Sequence, residues 1–91
     1  MSTTAPDLLI ELDRSRSRSL RSQIEGGLRD AITVGRLAPG TTLPSSRALA
    51  TDLGVTRGVV VAAYDQLLAE GYLVARQGAG TVVNPAPAVR R

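Results

Sequence analysis

Three residues, Gly54, Val55 and Thr56, are all that separate two helical patterns in the middle of this chain. Upstream, Ser45 precedes a helix over about 46–53 as its N-cap, with Leu49 and Leu53 as inward positions and Gly54 as its stop. Downstream, Thr56 opens a helix that runs to about Glu70, where Gly71 ends it. Within that second helix Gly58-Val59-Val60-Val61 alone reads as strand, because β-branched residues favour sheet. The longer window decides for helix: Val60, Ala63, Tyr64, Leu67 and Leu68 fall at i, i+3, i+4, i+7 and i+8, which a strand does not produce.

The flanks complete the plan. A first helix is expected over about 19–35, with Leu20, Ile24, Leu28, Ala31 and Ile32 on one stripe and Gly35 at its C-terminal cap. Gly26 and Gly27 lie inside it and cost roughly 1 kcal/mol each against Ala, so this helix needs its neighbours to stay formed. The run LAPGTTLP is a turn with a short extended piece ending at Pro44. After Gly71, Tyr72–Arg76 and Thr81–Asn84 are strand candidates joined by the two-glycine turn Gln77-Gly78-Ala79-Gly80. The order predicts a mainly α domain over 14–84 with a small β-hairpin wing: a winged helix-turn-helix of three helices plus a two- or three-stranded sheet. Residues 1–13 are expected to be a tail with a short strand at 8–12, and Arg14–Ser19 an Arg/Ser arm too poor in apolar residues to pack. Residues 85–91, with Pro85 and Pro87, read as the start of a linker or a C-terminal tail.

What the chain lacks narrows its chemistry. Among 91 residues there is no Phe, Trp, Cys or His, and all 11 basic residues are Arg. The core must therefore be aliphatic, joined by Tyr64 and Tyr72, and no disulfide can staple it, which fits a reducing cytosol. Common zinc and haem ligands are missing, as are Ser-His and Cys-His pairs and a lysine for a Schiff base. The carboxylates follow no calcium-loop pattern. The expectation is no enzyme, no metal and no cofactor in this chain. No apolar run approaches the ~20 residues of a membrane span, and the acidic start is unlike a signal peptide, so a cytoplasmic location is expected.

The net charge of +3 is unevenly spread: residues 1–13 carry −3, residues 14–57 carry +5 and residues 58–91 carry +1. The central surface is thus basic and built from a side chain that forks onto phosphate, although a solvated basic face is the plain alternative. With Val60 at the centre of the buried side of the third helix, Gly58, Val61, Ala62, Asp65 and Ala69 lie around the opposite side. Its first half is small and apolar, flanked by Arg57, and suits close approach to a major groove, where a Val methyl can meet a thymine methyl. Ser45, Ser46 and Thr56 stand at helix starts, where hydroxyls and free N–H groups can hold phosphate; simple capping would serve the same residues. Arg47 would lie beside the same DNA strand. At the hairpin, Arg76, Gln77 and Gly78 can approach a minor groove, against the alternative of a plain tight turn.

The stretch LAPGTTLPSSRALATDLGVTRGVVVAAYDQLLAEGYLVARQGAGTVV resembles the DNA-binding domain of GntR-type bacterial transcription regulators. With LDRSRSRSLRSQIEGGLRDAITVGR before it, the chain is most similar to the MocR (PdxR-like) subfamily over about residues 8–84. The resemblance implies sequence-specific binding of double-stranded operator DNA, with the helix at about 57–70 in the major groove and the wing at 72–84 toward the minor groove. It implies that Arg47 contacts the DNA backbone, Thr56 and Arg57 contact phosphate and bases, and Gln77 and Gly78 reach the minor groove. It also implies a homodimer on DNA, in the bacterial cytoplasm at the nucleoid. Gly58 and Val59 stand where relatives often carry polar residues, and Val61 where many carry Arg, which favours apolar contact with thymine and shape readout. MocR regulators join such a domain to an aminotransferase-like one that binds pyridoxal phosphate on a lysine, so the chain is expected to be an excised N-terminal domain or else a free-standing short regulator. The competing function is a protein-interaction module using the apolar face at 58–62; RNA binding is disfavoured by the lack of exposed aromatic stacking platforms.

Overall fold

The computed structural model describes residues 10, 12–14 and 19–85. They form α1 (Leu20–Thr33), α2 (Ser46–Leu53), α3 (Arg57–Glu70), β1 (Leu73–Arg76) and β2 (Gly80–Val83). Helices α1 and α2 begin on serine caps, Ser45 as expected and Ser19 at the position expected to start the helix itself. The Ser19 hydroxyl accepts from the Ser22 N–H at 3.1 Å, and the Ser45 hydroxyl from the Ala48 N–H at 3.0 Å. Thr56 departs from this: it holds the N-cap position of α3, but its side chain makes no capping bond. Helix ends follow the glycines, with Gly54 and Gly71 in the left-handed region at φ of 71° and 86°. The first helix stops at Thr33, two residues short of the expected end. There the chain folds back, and the Leu37 N–H donates to the Ala31 carbonyl at 3.1 Å.

The wing is an antiparallel pair in the register Leu73↔Val83, Val74↔Val82, Ala75↔Thr81 and Arg76↔Gly80. A third strand is reduced to one bridge, Thr42↔Val82, supported by Leu43 N–H to Thr81 O and Val83 N–H to Thr41 O, both at 2.8 Å. Pro44, lacking an N–H, cannot extend that ladder.

Helix α3 is the hub and packs against α1, α2 and β1. Its Val60, Ala63 and Leu67 are fully buried, as are Ile24 and Leu28 of α1 and Leu49 and Leu53 of α2; Leu73 and Val83 close the wing side. Burying each such Leu, Ile or Val contributes about 1.5–3 kcal/mol, and with no Phe or Trp available the core is built from many of them. Tyr64 is buried as well, and its hydroxyl donates to the Pro44 carbonyl at 2.7 Å, tying α3 to the segment before α2. Burial pushes that phenol well above its ordinary pKa. On the opposite flank Arg29 Nη2 of α1 meets Glu70 Oε1 of α3 at 2.9 Å, and its guanidinium lies 5.7 Å from the centroid of the Tyr72 ring.

The residues preceding α1 are more engaged than the sequence suggests. Ile10 is 3% exposed and belongs to the core, although it falls within the expected tail, and neither it nor Leu12 lies in a strand. A Cβ on Gly27 would sit 3.3 Å from Ile10 Cγ1 and 3.4 Å from its Cγ2. The helix-weakening glycine is therefore the notch that Ile10 fills. Arg14, expected to begin an unpacked arm, instead donates through Nη2 to the carbonyls of Leu53 at 3.0 Å and Gly54 at 2.8 Å. The rest of that arm (15–18), residues 8, 9 and 11 of the expected strand, the tail at 1–7 and residues 86–91 lie outside the described residues.

Candidate nucleic-acid interface

The three-residue turn sets the start of α3 against the start of α2. Arg57 Nε donates to the Ser46 hydroxyl at 3.1 Å, so the first residues of both helices are joined by a side-chain bond. Around that junction Ser45, Arg47, Thr56, Arg57 and Gly58 are exposed and Ser46 is half-buried. Nothing lies within 4 Å of where a Gly58 Cβ would be, so the helix backbone is open to close approach there. Val61 follows on the same outer face at 37% exposure. Val59 is half-buried and packs partly against the core, which leaves only part of its side chain for an external contact.

Beyond Val61 the surface becomes concave. A cleft of about 410 Å³ is bounded by Pro44, Ser45 and Ser46 before and at the start of α2, by Val61, Asp65 and Leu68 of α3, and by Ala79, Gly80 and Thr81 of the wing. Three elements thus share one face: the start of α2, the outer side of α3 and the wing. Arg76, Gln77 and Gly78 lie outside the cleft, exposed at the hairpin end, where Gly78 has φ of 86° and the Ala79 N–H donates to the Arg76 carbonyl at 3.0 Å. The structure therefore gathers Ser45, Ser46, Arg57 and Val61 closely. Arg76, Gln77 and Gly78 stand apart from that group on the wing.

Sequence reasoning did not assign Pro44, Asp65, Leu68 or Thr81 to the site. Of these only Asp65 carried a signal, as a charged position on the outer stripe of α3. It puts a carboxylate into the cleft beside the exposed start of α3 that carries Arg57. Among the described residues no group of His, Cys, Asp or Glu could hold a metal ion.

A short helix-turn-helix with its second helix exposed along one side and a hairpin beside it is the winged form of that motif. Residues 20–83 match the bacterial regulatory proteins of the gntR family. The chain is 49% identical over 79 residues to the HTH-type pyridoxine biosynthesis transcriptional regulator PdxR of Corynebacterium glutamicum, covering 87% of this chain and 17% of that protein. It is 44% identical over 79 residues to the probable rhizopine catabolism regulatory protein MocR of Rhizobium meliloti, covering 87% and 16%. Among solved structures it is similar to YtrA from Sulfolobus acidocaldarius, a GntR-family transcription factor, with a TM-score of 0.78, 36% identity and coverage of 82% and 79%. The DNA-binding domain of AraR in complex with operator ORE1 gives a TM-score of 0.68 at 26% identity, covering 79% and 88%. The chain belongs to the gntR family of bacterial regulatory proteins, is similar within it to the MocR/PdxR-like regulators, and has the winged helix-turn-helix DNA-binding fold of that family. It spans about a sixth of the length of the curated relatives it matches.

Proposed function

We propose that this domain reads a specific duplex operator for a bacterial transcription regulator, with α3 in the major groove and the wing directed to the neighbouring minor groove. The observation that carries this reading is the junction of Arg57 with Ser46. It sets the starts of α2 and α3 side by side, so phosphate-holding groups (Ser45, Ser46, Arg47, Thr56) flank a helix whose leading outer face is small. The uncapped hydroxyl of Thr56 supports the same role. Arg57 reaches guanine or phosphate, Gly58 admits the DNA closely, Val61 and the outer part of Val59 meet thymine methyls, and Arg76, Gln77 and Gly78 follow the minor groove.

Two copies act on a two-fold operator, in the cytoplasm at the nucleoid. No helix among the described residues is long and apolar enough to cross a membrane. The chain has no lysine, so no residue here can form an imine with pyridoxal phosphate. Any site for that cofactor would lie in an aminotransferase-like domain outside these residues. A protein-interaction role gains little support: among the described residues Val34 and Val61 are the large hydrophobics that stand exposed, and they lie on different elements rather than in one patch.

Selection from a pool of random duplexes tests the proposal, followed by titration of the enriched duplex against a scrambled competitor. An enriched motif bound with strongly salt-dependent affinity is the expected result. Replacing Arg47 and Arg57 together with Ala should abolish specific binding with helical content unchanged. Unaltered affinity in that variant would overturn the reading.

A further inference from the structure

We propose that Arg14 is a positioning residue for DNA binding: it holds the turn between α2 and α3 from behind without touching DNA. The inference rests on the DNA-binding reading above. Its geometry is a chain of contacts starting from the residues before α1. Ile10 fills the notch at Gly27. The Gln23 side-chain amide then grips the Asp13 backbone on both sides, accepting from its N–H at 2.7 Å and donating to its carbonyl at 2.9 Å. The segment so fastened to α1 ends in Arg14, whose Nη2 bonds the Leu53 and Gly54 carbonyls.

Those two carbonyls are among the ones the end of α2 leaves over. The Gly54 N–H returns to α2, and the Val55 N–H bonds the Ala50 carbonyl at 3.0 Å, but the last carbonyls of a helix have no partner within it. A guanidinium there satisfies both and sits at the negative end of the helix dipole. Gly54 is suited to this twice over. It adopts the left-handed φ of 71° that ends α2, and a Cβ on it would lie 3.3 Å from Arg14 Nη2. Two residues after Gly54 comes Thr56, then Arg57, so the arginine fixes the point from which α3 departs. One cation of the basic central region is thereby spent on holding the turn, leaving phosphate contact to others.

The test uses the 91-residue chain, the duplex enriched from the random pool and a scrambled duplex as competitor. Arg14→Gln should weaken specific binding about tenfold, the order expected for losing charge-assisted hydrogen bonds. The slope of log affinity against log salt should stay that of the wild type, because no phosphate contact is lost, whereas Arg47→Gln should flatten it by about one. In the free Arg14→Gln protein, amides at 55–59 should exchange faster while that of Leu28 in the α1 core does not. Gln23→Ala, which frees the segment but keeps Arg14, should reproduce the pattern and covers the case in which Arg14→Gln fails to fold. Wild-type affinity in both variants would overturn the proposal and leave the DNA reading intact. A flattened slope in Arg14→Gln would overturn it too, by making Arg14 a phosphate ligand. Failure of the wild type to enrich any duplex would instead sink the DNA reading, and this proposal with it.

Discussion

Gly27 shows how a residue that looks wrong for its element is right for its neighbour. In an open helix Gly→Ala gains about 1 kcal/mol. Here the new methyl would stand 3.3 Å from Ile10 Cγ1, closer than side chains comfortably pack, so the propensity gain is offset by displacing a core residue. Gly27→Ala should therefore leave stability nearly unchanged in the native background. It should stabilise by about 1 kcal/mol when Ile10 is already Ala, a substitution that by itself costs about 2–4 kcal/mol. Urea unfolding of the four proteins in that cycle measures the coupling; additive effects would mean Ile10 does not occupy the notch. The same logic of shared use applies to Arg57 and Ser46, which hold each other in the free domain through a bond exposed enough to be exchanged for phosphate.

At the level of elements, α3 is fixed by different devices at its two ends. Its start is set by the turn from α2 and by Arg57, whereas its end is fastened to α1 by Arg29 and Glu70. Glu70 accepts from Gln66 Nε2 at 2.7 Å as well as from Arg29, and these bonds hold its carboxyl below the ordinary 4.5, Gln66 contributing most and Arg29 the rest. A lowered folded value means that the stabilisation is complete at neutral pH and is lost as acid protonates the group. Thermal unfolding of the wild type and Glu70→Gln should thus differ near pH 7 and converge as acid protonates the lowered carboxyl, with the wild type the more stable at neutral pH. The pair is partly exposed and screened, so the difference should stay below about 1 kcal/mol. A gap that widens on acidification would contradict the assignment.

For the whole molecule, the question is how one small domain gains enough specificity. Among its described residues the exposed large hydrophobics, Val34 and Val61, stand apart, so the free 91-residue chain should sediment as a monomer at micromolar concentration. On a duplex carrying the enriched motif as an inverted repeat, two copies should load, with α3 of each entering successive major grooves on one side of the DNA. Sedimentation with labelled duplex gives the stoichiometry directly. One copy per inverted repeat at saturation would remove the two-fold arrangement while leaving monomeric recognition standing.

The helices were legible in the sequence because their signals are local. Ser45 caps, Gly54 and Gly71 terminate, and the stripes through Ile24 and Leu28 or Val60, Ala63 and Leu67 need only a period of 3.6 to be read. Much of the candidate interface was legible for the same reason, since Ser45, Ser46, Thr56, Arg57 and Val61 follow from where two adjacent helices begin and which side of the second is buried. What only the tertiary structure decided are pairings between residues far apart in the chain: Arg14 with Gly54 across 40 positions, Tyr64 with Pro44 across 20, and Ile10 with Gly27. The cleft joining α2, α3 and the wing is likewise a product of packing; Thr81 enters it with no local pattern to announce it, and Leu68, read only as part of the inward stripe, lines its wall. Periodicity states which side of an element turns inward. It carries no information about which distant residue will be waiting there, because that choice is made by the free energy of the whole core.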